Sequence, residues 1–309
     1  MSKTDGDLKD NRPEALLIYP PIHDFALFDL YLKPYGLLRL GRQLESAGWK
    51  TRIINALDYR DPETCRKLGK VKRKNDGTGK LHRSVVPMPG QLKGIKRNFA
   101  RYGILPEVFS SLAAERRPDA VFISTGMTYW YTGVVEAVRL IRELWKGVPV
   151  ITGGIYSTLL PEHCKSVCAP DYNAAGRADA DLDGWLRSRG LPGISLDSGS
   201  LPLVPAVRDD AAVLRLNEGC PLNCDYCASR KICGGFSSGN AEAVFEWLKM
   251  LNHSRGTSNF AFYDDALLFK SADVLIPFLE MVIDYQRTTG RELNFYTPNA
   301  MHIRFLDQS

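Results

Sequence analysis

Short apolar runs separated by helix-length stretches of 3.6-residue periodicity recur along this chain, and such a pattern buries itself best as parallel sheet covered by helices. The first run, Ala15-Leu-Leu-Ile-Tyr19, stops at Pro20-Pro21, which suits a buried strand followed by a loop that cannot continue it. Leu37, Leu38, Leu40, Leu44 and Ala47 then recur at helical spacing, with Gly48 where a helix would stop, and Thr51-Arg-Ile-Ile-Asn55 reads as the next strand. Further on, Ala120-Val-Phe-Ile-Ser124 and Val148-Pro-Val-Ile-Thr152 are strands flanking a helix over Val134 to Leu144. A short helix over Pro161 to Val167, a weak strand at Asp171 to Ala174 and a helix over Leu182 to Arg187 complete the pattern. Residues 14–187 are therefore expected to form an open, doubly wound α/β sheet, with any ligand at the carboxyl ends of its strands.

Between residues 188 and 209 the composition shifts to Gly, Pro, Ser and Asp, as in a linker, and a second alternation of strands and helices occupies 210–309. Its expected strands are Ala212 to Asn217, Phe260 to Tyr263 and Leu293 to Tyr296, with helices over Ala241 to Leu251 and Ala272 to Arg287. With 44% hydrophobic residues over 309 positions there is apolar material for two cores. No stretch approaches the roughly 20 apolar residues that span a bilayer, and the leader, residues 1–13, is polar. A cytoplasmic protein without a membrane partner is expected. The net charge of +5 conceals a segment, residues 66–102, with twelve basic residues against the single acid Asp76. Its glycines and prolines and its few aromatics favour a solvated, partly mobile insertion over a nucleic-acid surface.

The seven cysteines are odd in number and four of them fall between positions 220 and 233, which does not describe a disulfide framework. Cys220-Pro-Leu-Asn-Cys224-Asp-Tyr-Cys227 is a CxxxCxxC run in a loop just past an expected strand. Three thiolates so placed can cap three irons of a 4Fe-4S cluster and leave the fourth open to a chelating cofactor or substrate. A structural zinc site would ask for a second CxxC or a His pair, and neither is evident. Cys164 and Cys168, one helical turn apart beside His163, read as packing on a helix face, with a metal pair as the alternative.

This spacing, with the aromatic Tyr226 before the last cysteine and a strand ahead of it, resembles the signature of the radical S-adenosylmethionine (SAM) superfamily. The resemblance implies that Cys220, Cys224 and Cys227 hold the cluster, and that SAM chelates the free iron and is cleaved reductively to a 5'-deoxyadenosyl radical. It also implies a reductant such as flavodoxin or ferredoxin. Asp264 or Asp265, at the end of the next strand, stands where the superfamily carries a segment contacting the methionine amino group, and a helix cap ahead of Ala266 is the alternative. Asn299 and His302 face the same rim and read first as turn residues.

A sheet domain ahead of such a barrel is similar to the cobalamin-dependent branch, and two strand ends carry the small residues that let a flat macrocycle approach. They are Ser124-Thr-Gly-Met-Thr128 and Thr152-Gly153-Gly154. Met127, Tyr129, Trp130 and Tyr131 either line an apolar face there or form an ordinary buried cluster. His23 does not fit the D-x-H-x-x-G frame of many cobalamin proteins, so cobalamin either binds without a protein ligand or is absent. With three strands in 210–309, the second domain reads as the N-terminal half of a radical SAM partial barrel: either the chain is a shortened product or a fragment, or a partner completes the fold, or the cluster survives without turnover. Two functions stand: a radical SAM enzyme, with methyl transfer to an unknown small molecule or peptide as one outcome, or a noncatalytic iron-sulfur or cobalamin-binding protein.

Overall fold

The computed structural model describes residues 11–176, 180–195, 201–203, 209–299 and 301–306, so most of the expected leader and part of the linker lie outside the described residues. In chain order the first unit runs β1 (Glu14–Tyr19), β2 (Ile22–Asp24), α1 (Tyr35–Ser46), β3 (Lys50–Asn55), α2 (Pro62–Leu68), β4 (Arg83–Val85), β5 (Ala100–Tyr102), α3 (Pro106–Ala114), β6 (Ala120–Thr125), α4 (Tyr131–Leu144), β7 (Val150–Gly154), α5 (Ile155–Leu159), α6 (Pro161–Cys168), β8 (Tyr172–Ala174) and α7 (Ala180–Arg187). The second runs β9 (Ala211–Leu214), β10 (Asn217–Glu218), α8 (Ser229–Cys233), β11 (Ser237–Ser238), α9 (Ala241–Arg255), β12 (Asn259–Phe262), α10 (Leu275–Thr289) and β13 (Asn294–Tyr296).

Five strands form one all-parallel sheet in the order β3-β1-β6-β7-β8. Alternation along each strand divides the core between the two faces. Leu16, Ile18, Val121 and Ile123 pack with Phe109, Val138, Ile141, Cys164 and Cys168 on one side. Ala15, Leu17, Phe122 and Ile151 pack with Leu37, Leu44, Trp49 and Leu182 on the other. The strand order reverses between β1 and β6, which makes their carboxyl ends the natural crevice of the unit.

The second sheet is also parallel, in the order β13-β12-β9 among the described residues. Phe260 and Phe262 stack on Phe295 at 5.9 and 5.7 Å and meet α9 and α10 through Trp247, Leu248, Phe278 and Val282. The opposite face, Ala211, Val213 and Ala261, is covered by Tyr31 and Tyr35 of the first unit. Tyr31 stacks on Tyr296 at 5.3 Å, and Tyr263 Oη donates to the Tyr31 carbonyl. No helix among the described residues is long and apolar enough to cross a membrane.

One expectation is corrected. Residues 66–102 are a folded part of the molecule: β4 and β5 join β2 in an antiparallel sheet, burying Leu81, His82, Phe99, Ala100, Arg101 and Tyr102. Apolar positions spaced by glycine and proline hid that sheet among the lysines. Asn75 and Gly77 reach the second unit, where Asn259 Nδ2 donates to the Asn75 carbonyl at 2.9 Å and a Cβ on Gly77 would lie 2.6 Å from that of Ala211. At the described ends of the expected linker, Trp49 Nε1 donates to the Pro192 carbonyl and the Leu203 amide to that of Leu38.

Gly133 sits in α4 where a Cβ would come within 1.9 Å of the Pro21 carbonyl oxygen. Alanine ordinarily improves a helix interior by up to about 1 kcal/mol. Here the backbone of the β1 exit occupies the space, so Gly133→Ala should lower stability by about 1–3 kcal/mol in urea unfolding. An unchanged or raised midpoint would show that the strand exit does not pack on α4 as described.

Candidate cofactor site

The cysteine loop begins where β9 ends. Residues 217 and 218 pair antiparallel with 238 and 237, so β10 and β11 form a neck that closes the loop of residues 219–236. Gly219 has φ 72°, and a Cβ there would sit 2.6 Å from the Gly235 carbonyl oxygen, so only glycine allows the neck to close this tightly. Within the loop Cys227 N–H donates to the Cys224 carbonyl at 3.0 Å, and α8 follows directly. Cys220 and Cys224 are half-buried, Cys227 is exposed, all three are free thiols, and Tyr226 is 92% exposed. Among the described residues no three His, Cys, Asp or Glu side chains converge as the ligands of one ion would. A cubane takes each thiolate on a different iron, so its cysteines need one loop more than one point.

The sequence offered Asp264 and Asp265 as equivalents, and the structure divides them. Asp264 is buried, and its carboxylate accepts from the Leu216 and Asn217 amides at 3.1 and 2.6 Å, fixing the chain just before the cysteines. It neither caps a helix nor turns to the loop, which corrects its expected place as a cofactor contact. Burial pushes its carboxyl up to about 6. Asp265 is the carboxylate beside the loop: it accepts from Ser229 Oγ at 3.2 Å and pairs with Arg215 Nη2 at 3.4 Å. Ser229 Oγ lies 3.3 Å from Cys227 Sγ, and Arg215 also donates to Cys233 Sγ at 3.2 Å. Arg215, Ser229 and Cys233 belong to no motif read from the sequence; Ser229 and Cys233 follow Cys227 closely in the chain, and the fold brings Arg215 and Asp265 to them. Asn299 Nδ2 donates to the Tyr263 carbonyl at 3.2 Å, and His302 Nδ1 accepts from the Arg304 amide, so His302 is a turn residue.

On the sheet unit, Ser124 is half-buried and lies opposite Gly153 in the register, with Thr125 opposite Gly154. Thr128 opens a short 3-10 turn that runs to Trp130. Gly154 has φ 118°, and a Cβ there would lie 2.5 Å from the Thr125 carbonyl oxygen, so this glycine is demanded by the neighbouring strand itself. Met127 and Tyr129 are exposed on the rim, whereas Trp130 is tied to Asp24 at 2.8 Å and Tyr131 packs on Tyr156 and His163. Cys164 and Cys168 are buried in the core beneath α4, with Cys164 Sγ near Thr152 and Ser157, as the packing reading expects. His23 is taken by Glu136 at 2.8 Å. The rim of the first unit meets the cysteine site directly, because α5, which follows Gly153-Gly154, lies against α8.

A cavity of about 770 Å³ lies at the other end of the second sheet, between Lys33, Tyr59, Asp209, Ala211 and Trp247. Leu203 and Asp209 in its wall flank residues outside the described ones, so it is not assigned to the site.

No protein-family profile matches the chain. It is 23% identical over 218 residues to the uncharacterized methyltransferase PH0819 of Pyrococcus horikoshii, covering 58% of this chain and 47% of that protein. Its structure superposes on TsrM, a radical S-adenosylmethionine methyltransferase of Kitasatospora setae, with TM-score 0.61 and 14% identity over 95% of this chain and 56% of that one. The fold resembles that of TsrM. That structure holds a tryptophan substrate and the SAM analogue aza-SAM, and a second one, with cobalamin and a [4Fe-4S] cluster bound, gives 0.60. The chain spans about half the length of the proteins it matches.

Because Asp264 holds its proton more tightly when folded than the ordinary carboxyl near 3.8, its ionisation opposes folding. Its effect on stability is absent below pH 4 and grows as pH rises through about 6, to an order of about 3 kcal/mol. The stability of wild type relative to Asp264→Asn should therefore fall between pH 4 and 6 in chemical denaturation. A flat difference across that interval would contradict the buried, ionisable carboxylate.

Proposed function

We propose that this chain is the cofactor-binding part of a cobalamin-type radical SAM methyltransferase, with a cobalamin-binding-like sheet unit and a radical SAM half-barrel. The observation that carries the reading is the placement of CxxxCxxC past the carboxyl end of β9, on a loop whose helix α8 lies against α5, the helix that follows Gly153-Gly154 in the first unit. The donor set fits: three free thiols on one loop at a necked strand end suit an iron-sulfur cube. Cys220, Cys224 and Cys227 would hold it. When bound, such a cluster supplies an electron to the SAM sulfonium and cobalamin supplies a methyl carrier.

The chain's own residues do the rest. Asp264 anchors the amides ahead of the loop, and the β10–β11 neck limits how far it opens. Asp265, Ser229 and Arg215 set a polar floor beside Cys227, able to orient a zwitterionic amino-acid group. Ser124, Thr128, Gly153 and Gly154 supply the low rim against which a flat cofactor would rest, and exposed Tyr226 stands at the mouth.

Anaerobic reconstitution of the full chain with iron and sulfide should give a cluster absorbance that disappears, with most of the iron, when Cys220, Cys224 and Cys227 are all changed to alanine. A cobalamin absorbance titration of the same protein should saturate. Iron content unaffected by the triple change would refute the cluster assignment, and a flat titration would remove cobalamin from the reading.

A further inference from the structure

The antiparallel sheet built by the basic segment has the order β2-β5-β4, so β4 lies at its edge. Its pairing register shows which backbone groups are spare. Gly103 N–H donates to the His82 carbonyl at 2.9 Å and Val86 N–H to that of Phe99 at 3.0 Å. Positions 82 and 86 therefore bond inward, as does Ser84 opposite Arg101, and the N–H and C=O of Arg83 and Val85 point away from the sheet. All three residues of β4 are exposed. Among the described residues the edge is thus one short, regular row of unmated strand groups.

Its surroundings are strongly one-signed. No acidic residue occurs between Asp76 and Glu107. Lys80, Arg83, Lys93, Lys96 and Arg97 are all exposed in that interval. A shallow groove of about 550 Å³ beside the sheet is lined by Phe25, Arg83, Ile95, Lys96, Arg97 and Asn98, a mainly polar, cationic surface with Phe25 and Ile95 at its side. Nothing in the cofactor chemistry described above uses this face.

We propose that the free edge of β4 docks an acidic, extended stretch of polypeptide, which adds to the sheet as a further strand and sets its carboxylates among Arg83, Lys96 and Arg97. Strand addition draws affinity from main-chain hydrogen bonds and selectivity from alternate side chains, and both halves are present. A second copy of this chain fits poorly, because antiparallel self-pairing of β4 brings two cationic faces together. Nucleic acid fits less well: the segment's own aromatics, Phe99 and Tyr102, are buried, and half-buried Phe25 is the one aromatic ring among the residues lining the groove, short of the row of rings on which successive bases stack. The inference stands apart from the cysteine site and holds or fails without it.

The test uses the full chain and a fluorescent short peptide alternating Glu and Val, read by anisotropy. Saturable binding is expected, weakened about tenfold or more by replacing Glu with Gln in the peptide. N-methylation of alternate peptide amides keeps the charge and removes the strand donors, so it should weaken binding as much without touching the protein. Lys96→Glu and Val85→Pro should each do the same, the latter tolerated because an edge strand accepts proline where its N–H faces solvent. Absent binding, an N-methylated peptide that binds as well as its parent, or a single-stranded RNA that binds more tightly at equal salt would each overturn the proposal.

Discussion

The buried carboxylate of Asp264 is the constraint on which the site depends. β12 delivers it to the end of β9, where it takes the two amides that precede the neck of the cysteine loop. A charge this well enclosed stays only if its oxygens are bonded, and losing either partner would leave an expensive buried group. The loop's geometry is therefore tied to the packing of the two strands, and through Phe260 and Phe262 to the core under α9 and α10.

The two units pack against each other through aromatic and polar contacts. Tyr31, Tyr35 and Tyr263 cover the sheet face opposite the helices, and Lys33 bridges to Asp209 at 2.8 Å. Tyr59 adds a bond to Asp210 at 2.6 Å. This interface sets where the Gly153-Gly154 rim lies relative to α8, so the apposition behind the proposed function is a property of the whole fold rather than of one loop.

Much of the architecture was legible in the sequence. The runs at 15–19, 120–124 and 148–152 became β1, β6 and β7, because strands buried on both faces are written as continuous apolar residues, and 51–55 became the half-buried edge strand β3. The antiparallel sheet of 22–24, 83–85 and 100–102 was not legible, since its strands are three residues long and their partners are far apart in sequence. At the site, Cys220, Cys224 and Cys227 announced themselves by spacing. The different fates of Asp264 and Asp265 did not, because adjacent residues at a strand end point to opposite sides and nothing local says which side is buried. Arg215 and Ser229 lacked any signal before the fold placed them beside Asp265.

The central claim is an iron-sulfur cube held by three cysteines with one corner open to SAM. Electron paramagnetic resonance of the anaerobically reconstituted, reduced chain, recorded with and without SAM, addresses it most directly. The account predicts a spectrum that changes shape when SAM is added, as a new ligand reaches the open iron. A 4Fe-4S spectrum identical in both samples would contradict it.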